Sequence, residues 1–146
     1  LKRYFSKDQL ADIRAKFLAV EGKANRLVVR YVGHRFKNAL AKEFAHHGFG
    51  RRVGTMRRCM ENVWKTLPPA TLKVPAKSKL YDVQMNIQAF VTNLYGSVDN
   101  RAWLWVHERS LSEKIPRSHV GLRKRHTALR SSLSDEFQAY LVDYAR

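Results

Sequence analysis

Apolar residues in this sequence recur at alternating intervals of three and four, and that spacing fixes the class of fold before anything else does. Leu10, Ile13, Phe17, Val20, Ala24, Leu27 and Tyr31 form the first such run. A period near 3.6 places them on one face of an α-helix, whereas a half-buried strand would need alternation every second residue. Ser6 and Gln9 precede the run with the spacing of a capping box, the serine at the N-cap and the glutamine three residues on. After Gly33 the phase shifts to Phe36, Leu40 and Phe44. The pattern predicts one long helix from Ser6 to about His46, kinked near Gly33. His47-Gly48-Phe49-Gly50 stops it, with Gly48 as a left-handed cap.

Val53, Met56, Met60, Val63 and Leu67 mark a second helix. Pro68-Pro69 ends it, because proline has no backbone donor and clashes with the preceding turn. Residues 68–79 hold three of the four prolines and several lysines, so they read as a connection. The third stripe is Val83, Ile87, Phe90, Leu94, Val98, Ala102 and Trp105. It predicts a helix from about Leu80 to Glu108, about 43 Å long at 1.5 Å per residue. Arg109 to Ser131 breaks the pattern and admits only a short helical turn around Arg123–Leu129. Leu133, Phe137, Tyr140, Leu141 and Tyr144 mark a last helix from Ser132 or Ser134. No strand-like alternation of useful length and no fixed-period repeat is found. The expected fold is all-α: an up-and-down bundle of about four helices, forming one domain over residues 1–146. The chain begins at Leu1 and ends at Arg146 inside a helical pattern, which leads us to expect a trimmed C-terminus.

Charge narrows the class of partner. The chain carries 28 Lys+Arg against 12 Asp+Glu, a formal net charge of +16, yet 45% of its residues are hydrophobic. Wholesale disorder is not expected of such a chain, because enough apolar surface exists to offset chain entropy. The surplus is uneven. Residues 1–67 hold 16 cations and 5 acids, residues 68–108 hold 4 and 3, and residues 109–146 hold 8 and 4. Two clusters concentrate it: Arg51, Arg52, Arg57 and Arg58 at the start of the second helix, and Arg123, Lys124, Arg125 and His126 with Arg117 and Arg130 in the aperiodic segment. A guanidinium fork pairs two phosphate oxygens at once, so both clusters are candidate nucleic-acid contacts. The competing reading is a solvated basic surface, to which we give even weight. The expected partner is RNA or another polyanion, with a homodimer or a partner protein as the other association. No run approaches the roughly 18 apolar residues of a membrane span. Cys59 alone can form no internal disulfide, and a cytoplasmic setting is expected.

Asn86, Asn93, Asn100 and His107 are spaced by seven, so they share one helix face with a drift of about 20° per step. Asp99 flanks them. Asparagine is a poor helix former, so three on one face ask for a cause. A solvent-facing strip is favoured over a polar seam or a shallow ligand groove, because polar faces usually meet water. No Gly-rich phosphate loop, His-Glu-x-x-His motif or cysteine-pair metal site is present, and no metal or cofactor is expected. His46 and His47 are adjacent and point to different faces, which suits a loop and cap role better than a metal. Cys59 stands beside Arg57 and Arg58, which would lower a thiol pKa; a buried structural cysteine is the favoured reading. Arg101 and His107 form an Arg-x5-His pattern. A metal-free ribonuclease can use an arginine to stabilise a pentavalent phosphate and a histidine as general acid and base. Six residues along an ideal helix separate the two side chains by about 120°, so they need a kink or a second subunit to converge.

The stretch Asp82–Trp103, with Asn93-Leu94 followed by Asp99-Asn100-Arg101-Ala102-Trp103, resembles a helix of uncharacterised bacterial HEPN-like proteins. Those share an Asn-Leu-x4-Asp-Asn/His-x-Ala-Trp signature. Arg51-Arg52-Val53 through Cys59-Met60-Glu61-Asn62-Val63 and Pro68-Pro69 resemble their preceding helix. The resemblance covers about residues 51–110. It implies a helical bundle, often dimeric, in a family where many members are ribonucleases or toxins of stress and phage defence and others only bind. The family's active motif is Arg, four to six residues, then His. Arg101 and His107 have this spacing but sit inside the long third helix. A motif beyond Arg146 or a non-catalytic member is therefore ranked above catalysis by this pair.

Overall fold

The computed structural model describes residues 4–143, and all their regular structure is helical, with no strand among them. In chain order the elements are α1 (Lys7–Val32), α2 (Ala39–Glu43), a π-helix (Phe44–Gly50), α3 (Arg51–Thr66), α4 (Lys77–Glu108), a 3-10 turn (Arg117–His119), α5 (Thr127–Arg130) and α6 (Asp135–Asp143). Tyr144, assigned by periodicity to the last helix, lies outside the described residues. The chain divides into two compact units: Leu1–Gly33 with Gly50–Leu94, and His34–Phe49 with Tyr95–Arg146.

In the first unit, the capping box forms as the sequence predicts. Ser6 Oγ accepts from the Gln9 N–H at 3.2 Å, and Gln9 Oε1 accepts from the Ser6 N–H at 2.8 Å. Such a cap contributes about 1 kcal/mol to helix stability. α1 ends sooner than its apolar pattern suggested. Gly33 closes it in the right-handed region, its N–H returning to the Val29 carbonyl, so residues 34–38 are not helical. α1 buries no residue fully. It lies on α3, where the Phe17 and Trp64 rings stack with centroids 4.4 Å apart. α3 stops at Thr66, just ahead of Pro68-Pro69, with Val53 and Cys59 on its buried side. The buried position of Cys59 matches the structural reading of that residue.

In the second unit, Asn38 caps α2, its Oδ1 accepting from the N–H groups of Leu40 and Ala41. The chain then enters the π-helix, where the sequence pattern had a plain helix ending. Ala45 and Phe49 are its buried residues. Gly48 is no left-handed cap, since no glycine has positive φ. Its role is close approach: a Cβ there would sit 2.7 Å from Asn100 Nδ2. A side chain at 48 would push the π-helix off α4.

α4 ends in a Schellman motif with a serine where glycine is usual. Ser110 has φ +52°. Its N–H bonds to the His107 carbonyl at 3.1 Å, and the Leu111 N–H reaches the Val106 carbonyl at 2.8 Å. That pair of bonds satisfies carbonyls which the helix end would leave open. The chain beyond it, aperiodic in sequence, still supplies buried anchors to this unit. Ile115 and Leu129 close onto Ala102 and Val106, with Leu111, Val120 and Leu122 packed around them. Leu129 and Val106 are fully buried, each contributing about 1.5–3 kcal/mol of transfer free energy. Gly121 admits the buried His126 ring, which a Cβ would meet at 2.8 Å.

Candidate nucleic-acid interface

The two arginine clusters differ in what their charges already touch. On α3, Arg57 binds Asn25 Oδ1 through Nη1 and Glu61 through Nε, and Arg58 donates to the same Glu61 at 3.1 Å. Arg52 is half-buried, and its Nη1 donates to Asn93 Oδ1 at 3.3 Å, while its buried Nε finds no partner. Arg51 is exposed at the first position of the helix. Three of the four guanidinium groups are thus engaged within the first unit.

The aperiodic segment of the second unit is different. Residues 109–131 hold seven cations and one acid, Glu113. Arg109, Lys114, Arg117, Arg123, Lys124 and Arg125 are exposed and Arg130 is half-buried. Among the described residues the ion pairs are Lys16–Asp12, Arg57–Glu61 and Arg58–Glu61, so none involves this segment. Arg125 Nε donates to His126 Nε2 at 3.3 Å, and the Arg109 guanidinium lies 5.4 Å from the Trp105 ring centroid. Neither contact neutralises charge. The apolar anchors Ile115, Leu129 and Leu133 hold the backbone that carries these cations. Charges fixed on a packed scaffold lose less conformational entropy on binding than charges on a free loop. Sequence reasoning found Arg123, Lys124 and Arg125, with Arg117 and Arg130, but not their scaffold, because its anchors follow no helical period.

The polar stripe of α4 faces other helices and not open water. In the first unit, Asn86 Oδ1 accepts from Asn62 Nδ2 at 3.0 Å, and Asn93 meets Arg52. Both asparagines also donate back to the carbonyl four residues earlier, Asp82 and Ala89. In the second unit, Asn100 packs against Gly48, and His107 joins Phe44 and Trp103 in a cluster of three rings, its centroid 5.3 and 5.7 Å from theirs and theirs 6.1 Å apart. All four side chains are half-buried, and Asp99 alone is exposed. The solvent-strip expectation gives way to a polar seam. An asparagine pays for its low helix propensity here by bonding across helices.

Arg101 and His107 occupy different surroundings. Arg101 is exposed, its guanidinium 5.8 and 5.7 Å from the ring centroids of Phe49 and Phe137. His107 Nδ1 is bonded to Ser112 Oγ at 3.3 Å within its ring stack. α4 runs unbroken through both, so the helix supplies no kink to bring them together. His46 and His47 gather no further ligands: no group of three or more His, Cys, Asp or Glu side chains among the described residues could hold a metal ion. No helix among the described residues is long and apolar enough to cross a membrane. No protein-family model matches the chain, and no curated protein or solved structure matches it either.

Proposed function

We propose that this chain is a HEPN-like helical module that binds RNA through the basic 109–131 segment of its second unit and does not cleave it with Arg101 and His107. The observation that carries the reading is the set of seven cations on an ordered backbone with no carboxylate partner among the described residues. Phosphate contacts of this kind release condensed counterions, so affinity falls steeply as salt rises. The cytoplasmic setting belongs to the same proposal.

The signature residues behind the HEPN-like resemblance support a packing role. Ala102 is buried in the second unit's core, Trp103 stacks on Phe44 and His107, and Asn93 and Asn100 line the polar seam. They account for a fold and leave little free for chemistry. Within one chain, Arg101 and His107 share neither a hydrogen bond nor a ring partner, so the ribonuclease reading ranks below binding. A purely protein-binding scaffold is the rival reading. Fluorescence anisotropy with a labelled single-stranded RNA across a salt series separates them. Binding with a steep salt slope supports the proposal. No binding at low salt sinks it and leaves the scaffold.

A further inference from the structure

Rings and guanidinium groups alternate along one edge of the second unit. Arg101, Trp105 and Arg109 stand four residues apart, and the Arg109 N–H returns to the Trp105 carbonyl at 3.0 Å, so α4 carries all three. Each step of four advances about 40° around a helix, which keeps the three side chains on one face over about 12 Å. The Arg109 guanidinium lies 5.4 Å from the Trp105 ring centroid. That of Arg101 lies 5.7 Å from the ring centroid of Phe137 on α6. Phe137 in turn stacks on Tyr140, with centroids 6.0 Å apart and planes inclined by only 15°. Trp105 Nε1 donates to Ser132 Oγ at 3.1 Å, which holds the indole beside the chain leading into α6. This edge is not core. Arg101 and Arg109 are exposed, Trp105 and Phe137 are half-buried, and Tyr140 is 51% exposed.

We infer that this edge is a stacking platform for unpaired bases of a single-stranded RNA. The inference rests on the RNA-binding reading and deepens it. Charge complementarity and continuity select the occupant. Arg101 and Arg109 enter none of the ion pairs among the described residues, and Arg109 is the first cation of the 109–131 segment. The platform therefore continues the phosphate contacts of that segment. An RNA strand presents an anion and a π-face in alternation, which is the order of guanidinium and ring along this edge. Bases stack on aromatic rings and on guanidinium planes with little regard to sequence, and a duplex keeps its bases out of reach. The charge is also directional. Asp135 and Glu136 are exposed in the first turn of α6, so phosphate is steered towards the α4 arginines and the α6 rings are left to the bases.

Fluorescence anisotropy of the full chain tests it with two labelled probes. One is a single-stranded RNA, the other an abasic ribose-phosphate strand of equal length and charge. The parent chain is expected to bind the base-bearing strand about tenfold more tightly than the abasic one. Tyr140→Leu keeps apolar contact with Phe137 at an exposed position and removes the π-face. It should narrow the ratio to about threefold or less, with the salt slope of RNA binding within about 0.5 of the parent's. Arg101→Lys, which keeps the charge and loses the planar group, should narrow it in the same direction. Equal affinity for the two strands overturns the inference and leaves phosphate binding in place. A ratio that survives both Tyr140→Leu and Arg101→Lys also overturns it. Binding of neither strand removes the RNA reading itself, and the platform with it.

Discussion

Arg52 Nη1 donates to Asn93 Oδ1 at 3.3 Å, which joins the α3 arginine cluster to the polar stripe of α4. The bond answers two questions raised by the sequence. It shows what the half-buried asparagine is for, and it takes one arginine out of the pool free to meet phosphate. The two partners are not equivalent. Asn93→Ala strands a half-buried guanidinium whose Nε already lacks a partner. Arg52→Met keeps the apolar stem and removes the charge together with its need. We expect Asn93→Ala to cost about 1–3 kcal/mol more stability than Arg52→Met, because an unmade buried bond costs more than a missing pair. Urea denaturation of the two variants decides it. Equal losses would show that the bond carries no weight.

Ser110 holds the left-handed position of the Schellman motif that ends α4. A side chain there costs about 1–2 kcal/mol relative to the right-handed region, and glycine avoids most of it. Ser110→Gly is expected to stabilise the protein by about 0.5–1 kcal/mol, since the gain is offset by greater freedom in the unfolded chain. A thermal melt should move upward. A lower melting temperature would mean that the serine side chain contributes something the backbone geometry does not show.

Glu108 closes the last turn of α4 against the chain entering α2. Its carboxylate accepts from the Lys37 N–H at 3.0 Å and from the Asn38 N–H at 3.3 Å. Hydrogen bonds to a charged acceptor are stronger than neutral ones. Glu108→Gln keeps the shape and halves the acceptor capacity, so a loss of about 0.5–1.5 kcal/mol is expected in chemical denaturation. Hydrogen exchange should show Lys37 and Asn38 opening more readily than in the parent. Unchanged protection at both amides would contradict this assignment.

His107 is expected to act through packing. His107→Ala removes the ring that packs on both Phe44 and Trp103 and leaves a gap on the polar seam. Stability should fall by about 1–3 kcal/mol, while RNA affinity shifts by less than about twofold. Incubation of the parent chain with RNA in chelator should give no cleavage. Metal-independent cleavage that His107→Ala abolishes would restore the catalytic reading of Arg101 and His107.

The boundaries that local chemistry sets were legible in the sequence. Ser6 with Gln9 starts α1, Pro68-Pro69 follows the end of α3, and α4 spans Lys77–Glu108 against an expected 80–108. What the periodicity could not give was the partner of each stripe. Val20 and Leu27 on α1, and Ile87 and Leu94 on α4, keep the spacing of core residues yet are exposed. A three-four pattern reports that a face is apolar, not that the same chain covers it. The π-helix escaped because Phe36, Leu40 and Phe44 continue a helical phase through a break at residues 34–38. The scaffold of the 109–131 segment escaped for the opposite reason. Ile115, Val120, Leu122 and Leu129 pack through turns with no common period, and the turn that launches them uses serine where a glycine would have signalled it. The arginine clusters were visible by composition alone. Which of them was free was only partly so: Glu61 stands four and three residues from Arg57 and Arg58 on one helix, but the bonds of Arg57 to Asn25 and of Arg52 to Asn93 join helices far apart in sequence.

The central claim is that the 109–131 segment, and not the α3 cluster, meets the polyanion. The most direct measurement is the salt dependence of RNA affinity for the parent chain, for Arg123→Ala/Lys124→Ala/Arg125→Ala, and for Arg57→Ala/Arg58→Ala. Each phosphate contact to a single strand contributes about 0.7 to the slope of log affinity against log salt. The triple variant is expected to lower that slope by about 2, with the double variant within about 0.5 of the parent. A slope that survives loss of Arg123, Lys124 and Arg125, or that collapses on loss of Arg57 and Arg58, would contradict it.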